Sequence, residues 1–164
     1  MSVLTDYRAI VVGTDGSALA GPTVARAAWL AKHEDADLVI VCAFAELSRR
    51  TEAKNIATLG GDSRLGQVLG RSAASAAIAE AVAIAQEQAA TIAAALLVDG
   101  DPAVALVNVA AERDAELIVI GARHERSVAE RLLGTVAAEV LKRAGCDVLV
   151  VRPAEKPGEP EPAP

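Results

Sequence analysis

The chain has 164 residues, 52% of them hydrophobic but only 2% aromatic, and carries a net charge of −6 at pH 7. That length suits one domain with a full core, and the hydrophobic share excludes a disordered chain. The acidic balance, with no dense Lys/Arg run and few rings for stacking bases, argues against nucleic-acid binding. No apolar span approaches the roughly 18–20 residues of a membrane helix. Residues 1–8 lack the apolar stretch of a secretory signal, so cytoplasmic residence is expected. Cys42 and Cys146 have no CxxC spacing and read as two buried apolar thiols. His33 and His124 lack ligand-like spacing, and no metal site is expected.

Residues 9–13 (Ala-Ile-Val-Val-Gly) read as a buried strand. Val24, Ala27, Ala28 and Ala31 then recur at helical spacing, which predicts a helix over about 20–33. Residues 38–44 form a second continuous apolar run, a pattern that fits an interior parallel strand. Residues 46–72 read as a long, glycine-containing loop with room for a short helix. A helix is expected over 73–90 and a third strand over 91–98. Asp101 then offers an N-cap and Pro102 suits the first position of a helix over 102–113. A fourth strand covers 116–120, and a glycine-bounded loop runs from Gly121 to Gly134. Leu132, Val136, Val140 and Ala144 recur every four residues as one face of a final helix, before a fifth strand over 148–151. The remainder, 153–164, alternates Pro and Glu and is expected to be disordered. Strand and helix alternate throughout, which predicts an α/β domain over 1–152 with a parallel sheet covered on both faces.

Two turns carry the candidate chemistry. Gly13-Thr14-Asp15-Gly16 ends the first strand. A carboxylate there either accepts hydrogen bonds from a ribose hydroxyl or an adenine amine, or orders the turn itself. Gly121 ends the fourth strand, and Gly134-Thr135 opens the last helix. Free backbone N–H groups and the helix dipole at such a start attract phosphate oxygens, and glycine permits positive φ and close approach of a ligand. The alternative is a pair of ordinary turn glycines. The chain has no P-loop, no Gly-x-Gly-x-x-Gly fingerprint and no Gly-x-Ser-x-Gly elbow.

Taken in order, five segments resemble the universal stress proteins: 10–17 (Ile-Val-Val-Gly-Thr-Asp-Gly-Ser), Gly100-Asp101-Pro102, 117–121 (Leu-Ile-Val-Ile-Gly), 131–136 (Arg-Leu-Leu-Gly-Thr-Val) and 146–151 (Cys-Asp-Val-Leu-Val-Val). The resemblance covers about residues 6–152. It implies a Rossmann-like three-layer α/β/α fold with a five-stranded parallel sheet in the order 3-2-1-4-5. It also implies a homodimer joined through the strand at 148–151. That agrees with the aggregation hazard of leaving an uncharged edge strand bare.

The resemblance further implies an adenine-nucleotide site. Asp15 matches the acidic residue that holds the adenosine, with Gly13 and Thr14 beside it, and Ala43 and Ile120 at neighbouring strand ends. Gly121, Gly134 and Thr135, followed by Val136, match the phosphate-binding positions of Gly-x-x-Gly, nine residues, Gly-Ser/Thr. The second glycine of that motif is His124 here, a residue that takes positive φ less readily. Arg123, His124 and Arg126 offer cationic donors to phosphate in its stead, or form a solvated rim with Glu125 and Glu130. The expected ligand is ATP, AMP or cyclic AMP, with or without magnesium. The expected role is a non-catalytic stress regulator with a protein partner. The alternatives are a nucleotide-free interaction module and slow ATP hydrolysis or phosphotransfer, with Thr135 or Ser127 as acceptor.

Overall fold

The computed structural model describes residues 6–46, 68–122 and 134–152. Residues 47–67 of the loop expected over 46–72, most of the loop after Gly121, and the tail at 153–164 lie outside the described residues, while 68–72 hold a short strand and the start of a helix. The described residues form ten elements: β1 (Ala9–Gly13), α1 (Ala20–Glu34), β2 (Asp37–Ala45), β3 (Val68–Leu69), α2 (Arg71–Glu87), β4 (Thr91–Asp99), α3 (Pro102–Glu112), β5 (Leu117–Gly121), α4 (Thr135–Arg143) and β6 (Asp147–Val151).

The five long strands are parallel and lie in the order β4-β2-β1-β5-β6, which is the expected 3-2-1-4-5 path. The two-residue β3 is an addition that the sequence pattern did not signal. Phe44 pairs with both Val68 of β3 and Asp99 of β4, so β3 and β4 flank opposite edges of β2. The Val41 carbonyl accepts from Thr14 N–H at 2.9 Å, and the Ala45 carbonyl accepts from Gly70 N–H at 3.0 Å. Carbonyls four residues apart in a strand point the same way. Thus β3 lies on the β1 side of β2, past the point where β1 ends.

Alternation along the strands divides the core into two layers. Val11, Val39, Val41, Ala43, Ile118 and Ile120 face α3 and α4, with Leu106, Val109, Ala137 and Val140. Ile10, Val12, Leu38, Ile40, Leu117 and Val119 face the other way, onto Val24, Ala27, Ala28 and Ala31 of α1 and Ala81 and Ala85 of α2. Coverage on both faces is why β1, β2 and β5 read as continuous apolar runs. Burying each Val, Leu or Ile contributes about 1.5–3 kcal/mol.

Helix ends explain the boundary differences. Asp101 caps α3 as expected, accepting from Val104 N–H at 3.0 Å with Pro102 in the first helical position. At the other ends, α1, α2 and α3 stop on left-handed residues, Asp35 (φ 55), Ala89 (φ 58) and Asp114 (φ 52). In each case the next N–H reaches back to the carbonyl five residues earlier, as in Ala36 to Ala31, Ala90 to Ala85 and Ala115 to Ala110. These are Schellman ends without glycine. Because Ala89 gives no stop signal, the sequence reading extended α2 to about 90 rather than Glu87.

The amino end of the sheet is tied by side chains. Glu116 Oε2 accepts from the N–H groups of Arg8 at 3.0 Å and Ala9 at 2.9 Å, and the Tyr7 hydroxyl donates to Asp147 Oδ2 at 2.9 Å. Both thiols are free; Cys42 is buried, but Cys146 is only half-buried, against expectation, because it precedes the edge strand β6. Among the described residues, no helix is long and apolar enough to cross a membrane.

Candidate functional site

A doubly wound parallel sheet holds its ligand beyond the carboxyl ends of its strands, where the strand order reverses. Here the chain builds outward from β1 through β2 to β4, then returns to the far side of β1 for β5 and β6. The reversal falls between β1 and β5, which pair from Ile10–Leu117 to Val12–Val119. The two glycine turns singled out in the sequence leave from these two strand ends, at Gly13 and Gly121.

The β1 turn is held by its own polar groups. Thr14 is buried, and its N–H continues the ladder onto the Val41 carbonyl. Its Oγ1 accepts from Gly16 N–H at 3.3 Å. Asp15 Oδ1 accepts from Ser17 N–H at 2.9 Å, an Asx turn. Asp15 therefore orders its turn, one of the two roles the sequence allowed. Its side chain stays half-exposed at the strand ends, and a carboxylate has acceptor sites to spare beyond this one bond. Gly16 takes φ 74 and completes the turn.

The α3/α4 face supplies the apolar side of the site. A Cβ at Gly13 would stand 3.2 Å from Leu106 Cδ1, so this glycine admits α3 close to the strand. Ala43 and Ile120 are buried in the same layer, and Val136 of α4 packs against it. Gly134 precedes α4 with φ 82 and ψ 157, a conformation open to glycine and costly to other residues. No side chain caps this helix start, and the first intrahelical bond runs from Ala138 N–H to the Gly134 carbonyl at 3.0 Å. The N–H groups of the first turn, starting at the exposed Thr135, thus give the positive end of the α4 dipole.

Gly121 differs from its sequence reading. Its φ is not positive, and its Cα faces α1 rather than the α3/α4 layer. A Cβ there would stand 2.7 Å from Thr23 Oγ1. The demand for glycine comes from the approach of α1 to β5, which no local pattern announces. Arg123 and His124, with Arg126 and Ser127, lie outside the described residues.

Other residues that shape the site were not singled out. Leu106, Thr23 and Ala77 each meet a site glycine, and all three look like ordinary helix residues in the sequence. Cys42, on β2, is electrostatically linked to Asp15: burial, then the nearby carboxylate, push its thiol up to about 11. Among the described residues, no group of three or more His, Cys, Asp or Glu could hold a metal ion.

Known proteins of the same kind extend over nearly the whole chain. The model of the universal stress protein family matches residues 6–152. Universal stress protein Rv1636 of Mycobacterium tuberculosis strain H37Rv is 38% identical over 152 residues, 90% of this chain and 98% of that protein. A crystal structure of a universal stress protein in complex with cAMP aligns with a TM-score of 0.66 and 32% identity, covering 90% of this chain and 98% of that one. The structure of a universal stress protein from Archaeoglobus fulgidus aligns with a TM-score of 0.66 and 27% identity, covering 88% and 98%.

Proposed function

This chain belongs to the universal stress protein family, and we propose that it binds an adenine nucleotide at the carboxyl ends of β1 and β5 and acts as a stress-response regulator rather than a catalyst. The observation that carries this reading is the convergence at the β1/β5 reversal of the Asp15 turn with the strand end that leads toward the glycine-initiated α4. A relative of the same fold at 32% identity was crystallised with cAMP, which supports the adenine class. In this reading Asp15 accepts from the adenosine part, Ala43, Ile120 and Val136 give apolar contact, and Gly134, Thr135 and the α4 N–H groups meet the phosphate. Magnesium, if used, enters with ATP.

Calorimetric titration with ATP, AMP and cyclic AMP tests this, with thermal unfolding as the second readout. A ligand at a hundred times its Kd adds about 2.7 kcal/mol of stability. No heat and no stabilisation at millimolar nucleotide overturns the proposal. A second reading, a nucleotide-free interaction module, is favoured by His124 at the position of the second motif glycine. It requires that His124→Gly create or strengthen binding, and unchanged affinity removes it.

The working unit in this proposal is a cytoplasmic homodimer joined through β6, with a regulatory protein as a further partner. Within the described residues β6 pairs only with β5, and Val148–Val151 carry no charge on this edge. Pairing with a second copy protects such an edge. Sedimentation at micromolar protein should give twice the chain mass, and a monomer there overturns the dimer.

A further inference from the structure

We propose that Ala77, on α2, is a positioning residue that fixes where the Asp15 carboxylate stands and so sets the affinity for nucleotide; the inference rests on the nucleotide reading above. The internal bonds of the β1 turn set its shape. Gly16 N–H to Thr14 Oγ1 and Ser17 N–H to Asp15 Oδ1 both lie within four residues of chain. They tie the carboxylate to the turn, so that the two move together, but they do not fix the turn against the rest of the fold. On the sheet side the turn is held by Thr14 N–H on the Val41 carbonyl. On the helix side it meets Ala77: a Cβ built on Gly16 would lie 3.0 Å from Ala77 Cβ and 3.6 Å from Ala77 Cα.

Ala77 has no slack of its own. It is 5% exposed and packs in a small cluster with Cys42, Phe44 and Ala74. An added methyl group at 77 therefore meets Gly16 on one side and β2 on the other. Gly16, already at φ 74, is the flexible member and yields first. Asp15 is its neighbour and moves with it. Hydrogen bonds to a charged acceptor weaken steeply with misalignment, so a small displacement is felt in affinity.

Calorimetry on the full chain with AMP and ATP tests the inference, using Ala77→Val, Ala77→Ser, Asp15→Ala and the Asp15→Ala/Ala77→Val pair. Loss of a charge-assisted bond in Asp15→Ala should weaken binding about tenfold to a hundredfold. Ala77→Val should weaken it about fivefold or more in the wild-type background and add less than about twofold in the Asp15→Ala background. Ala77→Ser adds one atom beyond Cβ where valine adds two, and should weaken binding less than Ala77→Val does. If Ala77→Val fails to fold, Ala77→Gly replaces it: removing the wall should loosen the turn and weaken binding only while Asp15 is present. Equal losses in both backgrounds, or no loss in the wild-type background, overturn the positioning role while nucleotide binding stands. Absence of binding by the wild-type chain overturns the functional reading itself, and the inference with it.

Discussion

Substituting Gly121 by alanine isolates one contact between α1 and the sheet. The new methyl would stand 2.7 Å from Thr23 Oγ1, well inside contact distance. Thr23 is 2% exposed, and its hydroxyl donates to the Leu19 carbonyl at 3.1 Å, so turning away forfeits that bond in a closed space. Overpacking of this kind costs about 1–3 kcal/mol. Removing the obstacle should reverse the sign. In a Thr23→Ala background the nearest remaining atom is the residue 23 Cβ, at 3.8 Å, an ordinary contact. Alanine at 121 then has an acceptable φ and restricts the unfolded chain, which favours folding by about 0.4–1 kcal/mol. Thr23→Ala alone should cost about 1 kcal/mol for its hydrogen bond. The double variant should therefore be more stable than the sum of the singles by roughly 1–3 kcal/mol. Urea unfolding of the four proteins measures this as shifts in midpoint at constant m, and thermal unfolding as about 2–4 °C per kcal/mol. An equal cost for Gly121→Ala in both backgrounds would refute the reasoning and place the demand for glycine elsewhere.

Three further outcomes are expected. Burial pushes the Glu116 carboxyl up, but donation from the backbone N–H groups of Ala9 and Arg8 outweighs it and leaves the group below its ordinary 4.5. Its folded-state pKa being depressed, its contribution is complete above the unfolded value and is lost as pH falls through the folded one. Glu116→Gln should flatten that part of the acid slope in urea midpoints measured between about pH 5 and 3, and an unchanged slope would count against the clamp. Ala89→Gly should stabilise the protein by about 1 kcal/mol in thermal melts, since an exposed alanine at φ 58 bears a left-handed cost that glycine does not. Cys146 should react with a disulfide reagent well before Cys42 in the native protein at pH 8 or so, because the buried Cys42 thiol is pushed up to about 11; equal rates would mean that β2 opens readily.

The layers were legible because periodicity reports burial, whereas the sheet order came only from the resemblance to the universal stress proteins. Runs such as Ile10-Val11-Val12 mark strands covered on both faces, and Asp101-Pro102 marks a helix start by local chemistry alone. What stayed hidden depends on residues distant in sequence. The strand β3 rests on a carbonyl of Ala45 left free where β1 ends, which no property of Val68 or Leu69 reveals. The Schellman ends at Asp35, Ala89 and Asp114 use non-glycine residues, so the usual stop signal is missing. At the site, the Asp15 and Gly134 turns were found from local pattern. The partners that constrain them were not, because an alanine such as Ala77 looks like any other residue of an alanine-rich helix.

The glycines at the carboxyl end of the sheet serve different masters, and this separates stability from binding. Gly13 yields space to Leu106 of α3 and Gly121 to Thr23 of α1, whereas Gly134 is needed for its φ of 82, and Gly16, which meets Ala77 of α2, is needed for its φ of 74 as well. Three helices thus converge on glycines at the strand ends, two of which, Gly13 and Gly121, the resemblance alone would assign to ligand. Where such a glycine faces a helix at an ordinary φ, as Gly13 and Gly121 do, a matched trim of that helix restores stability, as argued for Gly121 with Thr23. It also leaves the N–H groups of α4 untouched. Any nucleotide affinity lost in the restored protein would then belong to the loop itself. A substitution at Gly134 has no such remedy, because its strain lies in the backbone rather than in a neighbour. Stability and affinity are therefore expected to fall together at Gly134 and to part company at Gly121.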